Sequence, residues 1–130
     1  MDKTLRIMIV EDNPHARGAL SAFISTLDWL TVTCEASNGE EAVKKIESQT
    51  PDMVLMDIQM PVMDGLKATQ YIKKRWPHIK VVALTLYSNY GSQAKQAGVD
   101  AFLIKGCSME EMTSTIRSVN EVASKQVGNK

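Results

Sequence analysis

No apolar stretch in the 130 residues approaches the roughly 20 that a membrane-crossing helix needs, so a membrane span is not expected. The start, Met1-Asp2-Lys3-Thr4, lacks the basic and apolar regions of a secretory signal, and a reducing cytoplasm is the expected setting. Two cysteines, Cys34 and Cys107, have neither metal-ligand spacing nor a disulfide framework around them. Excess charge of either sign is also missing. Lys plus Arg and Asp plus Glu number 15 each, which argues against nucleic acid as the main partner of this chain. No glycine follows the first apolar run, where Asn13-Pro14-His15 stands instead, so a glycine-rich nucleotide loop is excluded there. His15 and His78 have no matched nucleophile for a hydrolytic triad. There is no internal repeat and no low-complexity segment.

What is present is an alternation of strand-length apolar runs with helical-period segments, five pairs in all. That pattern predicts a doubly wound α/β domain, with a five-stranded parallel sheet flanked by five helices. The domain is expected over residues 1–124, with 125–130 a disordered tail or the start of a linker. The first helix opens at Asn13-Pro14 and is expected to turn Ala19, Leu20, Phe23, Ile24 and Leu27 inward. Thr31 to Ala36 alternates polar and apolar residues, as an edge strand with one wetter face does. Asn38 with Glu41 and Ser108 with Glu111 have capping-box spacing at the second and fifth helices. Met109, Met112, Ile116, Val119 and Val122 form the fifth helix's apolar stripe. The fourth helix, Asn89 to Ala97, has few apolar anchors, is expected to be short and mobile, and ends at Gly98.

Four of the apolar runs end on charged or hydroxyl residues. Leu5 to Val10 runs into Glu11-Asp12, Met53 to Met56 into Asp57, Val81 to Leu84 into Thr85, and Ala101 to Ile104 into Lys105. In an open parallel sheet of order 2-1-3-4-5, those ends converge on a crevice between strands one and three. Three carboxylates would crowd there with only Lys105 to offset their repulsion, which is costly unless a cation is bound. Hard oxygen ligands with room for water point to Mg²⁺. Three carboxylates, a hydroxyl and an ammonium around one crevice suit phosphoryl transfer, which depends on positioning and electrostatics.

Residues 4 to 124 resemble a receiver domain of two-component response regulators. The most specific segment is Leu55-Met56-Asp57-Ile58-Gln59-Met60-Pro61-Val62-Met63-Asp64-Gly65, which is similar to that family's phosphoacceptor loop. Glu11-Asp12, Thr85 and Lys105 match its acid pair, switch hydroxyl and lysine. The resemblance implies that Asp57 accepts a phosphoryl group from a sensor histidine kinase, a phosphotransfer protein or a small phosphodonor. It implies that Asp12, Asp57 and the backbone carbonyl of Gln59 bind Mg²⁺, with Glu11 acting mainly through water. Lys105 and Thr85 would contact phosphoryl oxygens, and Phe102 matches a switch aromatic. Such a domain promotes its own phosphorylation and dephosphorylation and is not an enzyme acting on a separate substrate. A docking module that takes no phosphoryl group is the alternative; such chains usually lose an acid, and here none is missing.

Three residues depart from the commonest receiver pattern. Gly106 replaces a proline after the lysine, Glu11 replaces an aspartate, and Leu86 follows Thr85 where a small residue is usual. Leu86 and Gln59 are expected to crowd the approach to Asp57. Gly106, with Ala83-Leu84-Thr85 and the run Ala97 to Phe102, resembles receivers of LuxR-type helix-turn-helix transcription regulators. That resemblance implies control of transcription through a DNA-binding output domain beyond Lys130, and self-association on phosphorylation. No direct DNA binding is expected of residues 1–130.

Overall fold

The computed structural model describes residues 4–128, with side chains through Glu121. Five strands form one parallel sheet in the order β2-β1-β3-β4-β5. They are β1 (Leu5–Val10), β2 (Leu30–Ala36), β3 (Met53–Asp57), β4 (Lys80–Thr85) and β5 (Ala101–Ile104). The polar alternation of β2 places it at an edge, where it pairs with β1 through a register irregularity between Ile7 and Met8.

Because successive strand residues face opposite sides, the sheet divides its apolar residues between two cores. Ile7, Ile9, Leu55, Val82 and Leu84 pack on one face with Ile24 of α1 (Pro14–Ser25) and Ile116 of α5 (Met109–Gly128). Met8, Val10, Val54 and Met56 pack on the other with Ala42 and Ile46 of α2 (Gly39–Gln49) and Ala68 and Ile72 of α3 (Gly65–Arg75). A smaller cluster of Ile58, Ala83 and Ala94 seats α4 (Gly91–Ala97). Each large aliphatic side chain so buried contributes roughly 1.5–3 kcal/mol, so both faces hold the strand ends in place.

The caps follow the sequence closely. Asn13 accepts hydrogen bonds from the His15 and Ala16 amides at the start of α1. Asn38 accepts from the Glu41 amide and Ser108 from the Glu111 amide, at 2.9 and 3.0 Å. At α2 the reciprocal half of the capping box is redirected: the Glu41 carboxylate accepts from the amide and hydroxyl of Ser37, one residue before the cap. The fourth helix is short, as its sparse anchors predict; a 3₁₀ turn over Ser88–Tyr90 precedes it, and Gly98 caps it at φ 102°.

Two expected inward positions point outward. Ala19 is exposed and Met109 is 67% exposed, because the buried stripes of α1 and α5 centre on Ile24 and on Ile116 and Val119. The fifth helix also runs through Gly128, so residues 125–128 are helical rather than a tail. The side chain of Val122 and residues 129 and 130 lie outside the described part. Among the described residues no helix is long and apolar enough to cross a membrane.

Val62, in the loop between β3 and α3, has φ 68° and is 77% exposed. A β-branched residue is poorly suited to the left-handed region, which costs roughly 1–2 kcal/mol for ordinary L-residues. Val62→Asn should therefore raise stability to urea by about 1 kcal/mol, since Asn tolerates that backbone. An unchanged or lower unfolding midpoint would show that contacts of the valine compensate.

Candidate functional site

The acids, the hydroxyl and the lysine expected at the site each sit at or just beyond the carboxyl end of a strand, whereas Phe102 stands near the start of β5. Glu11 and Asp12 follow β1, Asp57 ends β3, Thr85 ends β4, and Lys105 follows β5. The β1–β3 and β3–β4 pairings bring the ends of β1, β3 and β4 side by side. Glu11 and Asp57 are buried, at 3% and 2% exposure, whereas Asp12 faces solvent. One carboxylate oxygen from each of Glu11, Asp12 and Asp57 lies within 4.8 Å of the others.

The Lys105 ammonium joins the two buried acids, at 2.8 Å from Glu11 Oε1 and 3.1 Å from Asp57 Oδ1. Asp57 Oδ1 also accepts from the Gln59 amide at 3.3 Å, and Glu11 Oε2 accepts from the Asn13 amide at 3.2 Å. Asp57 Oδ2 is buried and has no protein partner. A buried carboxylate oxygen left bare among three acids is a strong requirement for a ligand, and this donor set fits a hard divalent cation such as Mg²⁺.

Burial, and then the negative charge of Glu11, push the Asp57 carboxyl up to about 6, against the opposing pull of Lys105. Burial alone would lower the Lys105 ammonium, but its bonds to Glu11 and Asp57 outweigh that and hold it above its ordinary value. Both acids thus depend on one cation. Arg17, which sequence reasoning passed over, is close by: its guanidinium donates to the Glu11 carbonyl at 2.7 Å and pairs with Glu35 at 3.3 Å. Its place one turn beyond the Asn13 cap was the available signal.

Thr85 is buried, and its hydroxyl oxygen accepts from the Tyr87 amide at 3.2 Å. Its carbonyl accepts from the Lys105 amide at 2.6 Å, tying the ends of β4 and β5 together. Gly106 adopts φ 90°, a left-handed turn that glycine takes without strain, and no peptide bond among the described residues is cis. Phe102 is half-buried; its ring lies against the start of α4, 3.7 Å from where a Cβ on Gly91 would stand. Leu86 is 61% exposed beside Thr85, and Gln59 is exposed beside Asp57.

The β3–α3 loop is held by close backbone contacts. Asp64 caps α3 by accepting from the Lys67 amide at 2.8 Å, and the Gly65 amide donates to the Ile58 carbonyl at 2.8 Å. The Gly39 amide donates to the Met63 carbonyl at 3.0 Å, fastening the loop to α2. On the other side of the site, α1 and α5 border an apolar groove of about 330 Å³. Leu20, Phe23, Cys107 and Met112 line it, and Glu11 and Lys105 stand at its edge.

The family model for the response regulator receiver domain matches residues 7–117, which include β2 to β5, β1 from Ile7 onward and every expected site residue. The chain belongs to the response-regulator receiver family. The receiver is 36% identical over 117 residues to the response regulator GacA of Pseudomonas viridiflava, covering 88% of this chain and 55% of GacA. It is 36% identical over 115 residues to the response regulator protein VraR of Staphylococcus saprophyticus, covering 87% and 55%. This chain therefore spans about half the length of these curated relatives.

Among solved structures, a LuxR-family DNA-binding response regulator from Staphylococcus aureus superposes with a TM-score of 0.83 at 34% identity, covering 89% of this chain and 98% of that one. A LuxR-family two-component response regulator from Aurantimonas sp. SI85-9A1 superposes at 0.85 with 28% identity, covering 90% and 85%. The resemblance to LuxR-type receivers read from Gly106 and the β4 and β5 segments is thus borne out, as is the sheet order.

Proposed function

We propose that this receiver accepts a phosphoryl group on Asp57 from a phosphohistidine and relays the change to an output domain that controls transcription. The observation carrying the proposal is the asymmetry of the Asp57 carboxylate: Oδ1 is held by Lys105 and the Gln59 amide, while Oδ2 is buried and bare. In the transfer, an Asp57 oxygen attacks phosphorus, the donor's phosphorus–nitrogen bond breaks, and the electron pair leaves with the histidine ring. Asp12, Asp57 and the Gln59 carbonyl would hold Mg²⁺, with Glu11 acting through water. When bound, the cation offsets the negative charge that gathers between the acids and the phosphoryl oxygens.

Lys105 neutralises a phosphoryl oxygen, a role for which its elevated affinity for a proton suits it. Thr85 donates its hydroxyl to another phosphoryl oxygen and accepts from Tyr87 less readily once drawn inward. That weakens its hold on the loop before α4 and shifts Phe102, a change of population between two packings. Leu86 and Gln59 border the approach to Asp57. The receiver modifies itself and turns over no separate substrate. Its relatives' length and the LuxR-family neighbours support a DNA-binding output domain. Self-association on phosphorylation belongs to the same proposal and is read by comparing the oligomeric state before and after loading with phosphoramidate.

Acetyl phosphate or phosphoramidate with Mg²⁺ should add one phosphoryl group, read by intact mass and sensitive to hydroxylamine. Asp57→Asn should abolish it, and EDTA should suppress it. Undiminished labelling of the variant would move the acceptor elsewhere, and equal rates with and without EDTA would remove the cation from the reaction. Failure of the parent protein to take the group under any donor would favour a docking module.

A further inference from the structure

Gln59 is anchored from across the mouth of the site. Its side-chain Nε2 donates to the Tyr90 hydroxyl at 3.3 Å, joining residues 31 apart in sequence. Among the described residues this is the only hydrogen bond between the β3–α3 loop and the segment from the 3₁₀ turn through α4. The two ends of the bond are rooted differently. The backbone amide of Gln59 is bonded to Asp57 Oδ1, so the loop end reaches the acceptor itself. The ring of Tyr90 packs on the Ile58, Ala83 and Ala94 cluster beside Phe102, and lies 6.4 Å from the ring of Tyr87. Tyr87 in turn donates its amide to the Thr85 hydroxyl.

We propose that Tyr90 is a positioning residue that holds the Gln59 side chain as a strap beside Asp57, and so slows hydrolysis of the aspartyl phosphate. The inference rests on the phosphoacceptor reading given above. Gln59 carries a flexible side chain that, left free, samples many rotamers; a fixed partner confines it and keeps the amide group beside the acceptor. In hydrolysis a water oxygen attacks phosphorus, the bond from phosphorus to the Asp57 oxygen breaks, and the carboxylate leaves as inorganic phosphate forms. Water must reach the phosphorus in line with the departing carboxylate oxygen. A side chain confined there obstructs that line, whereas a mobile one clears it for part of the time. The hydroxyl of Tyr90 is the part that matters, because the ring's packing does not depend on it.

The test pairs Tyr90→Phe, which keeps the ring, with Gln59→Met, which keeps the length of the side chain but cannot donate. Each is loaded with phosphoramidate and Mg²⁺, the donor is removed, and loss of the phosphoryl group is followed by intact mass. Each single variant should lose phosphate about two- to tenfold faster than the parent, the range one net hydrogen bond supports. The double variant should be no faster than the singles, since both remove the same contact. Melting temperatures should stay close to the parent's, which separates positioning from a structural defect. Additive effects, or a Tyr90→Phe variant with the parent's rate, would overturn the strap. A second measurement stands apart from phosphorylation: the side-chain amide resonance of Gln59 should shift in Tyr90→Phe. An unmoved resonance would overturn the strap even if the parent accepted no phosphoryl group, whereas a shifted one with no phosphoryl uptake would leave the contact and sink the phosphoacceptor reading.

Discussion

In metal-free buffer at pH 7, Asp57→Asn should melt above the parent protein. Asp57 is buried against Glu11, and its carboxyl is pushed up to about 6. An acid with a folded value near 6 and an ordinary unfolded value binds its proton more tightly when folded. Stability from this group therefore falls as pH rises between the two values, and the loss is complete above about pH 6. The shift corresponds to roughly 2–3 kcal/mol of strain in the ionised, metal-free protein. Asn is close in shape, carries no charge, and leaves Lys105 its 2.8 Å contact with Glu11. Relief of that strain should raise the melting temperature by about 5–10 °C at pH 7, and the advantage should shrink toward pH 4, where the parent's Asp57 is largely protonated in the fold. Added Mg²⁺ should raise the parent's melting temperature more than the variant's. A variant that melts at or below the parent at pH 7 would show that Lys105 already satisfies the carboxylate.

Gly65→Ala should damage both the fold and the site. A Cβ on Gly65 would collide with the Asp57 carbonyl oxygen, and would stand 2.8 Å from Ile58 Cα and 2.9 Å from the Asp57 carbonyl carbon. All three are backbone atoms, so no side chain can swing aside. Relief requires the end of β3 to move, which also stretches the Gly65 amide bond to the Ile58 carbonyl. Overpacking of this kind costs about 1–3 kcal/mol or more. Because the atom that moves is joined to the acceptor, phosphoryl uptake should fall by about 10- to 100-fold, the penalty of a small misplacement at a reacting group. Gly18→Ala is the control. Gly18 is exposed in α1 with nothing within 4 Å of the added atom, so the change should stabilise by about 0.5–1 kcal/mol and leave uptake alone. Parent-like melting and uptake in Gly65→Ala would show that the loop yields without moving Asp57.

The layout of the fold was legible because strand ends coincide with chemistry in this chain. An apolar run of four to six residues that stops at Glu11, Asp57, Thr85 or Lys105 marks both the strand and its functional end, and parallel pairing brings such ends to one edge. The caps at Asn13, Asn38 and Ser108 were legible for a related reason: their partners lie two or three residues away, so a local pattern suffices. Helix faces were less so. Periodicity locates a stripe only to within a residue or two of rotation, which is why Ala19 and Met109 turn outward. The end of α5 was missed because Val127-Gly128 carries a breaker that helix propagation overrides.

The sequence by itself determined which residues line the crevice, since the identity and order of the strands leave those five side chains little choice of place. Only the tertiary structure decided how they are bonded: that Lys105 bridges Glu11 and Asp57, that Oδ2 of Asp57 is left bare, and that Gln59 is tied to Tyr90. The reason is separation along the chain. Partners 31 or more residues apart meet through strand register, helix packing and side-chain rotamers acting together, and no local spacing encodes that sum.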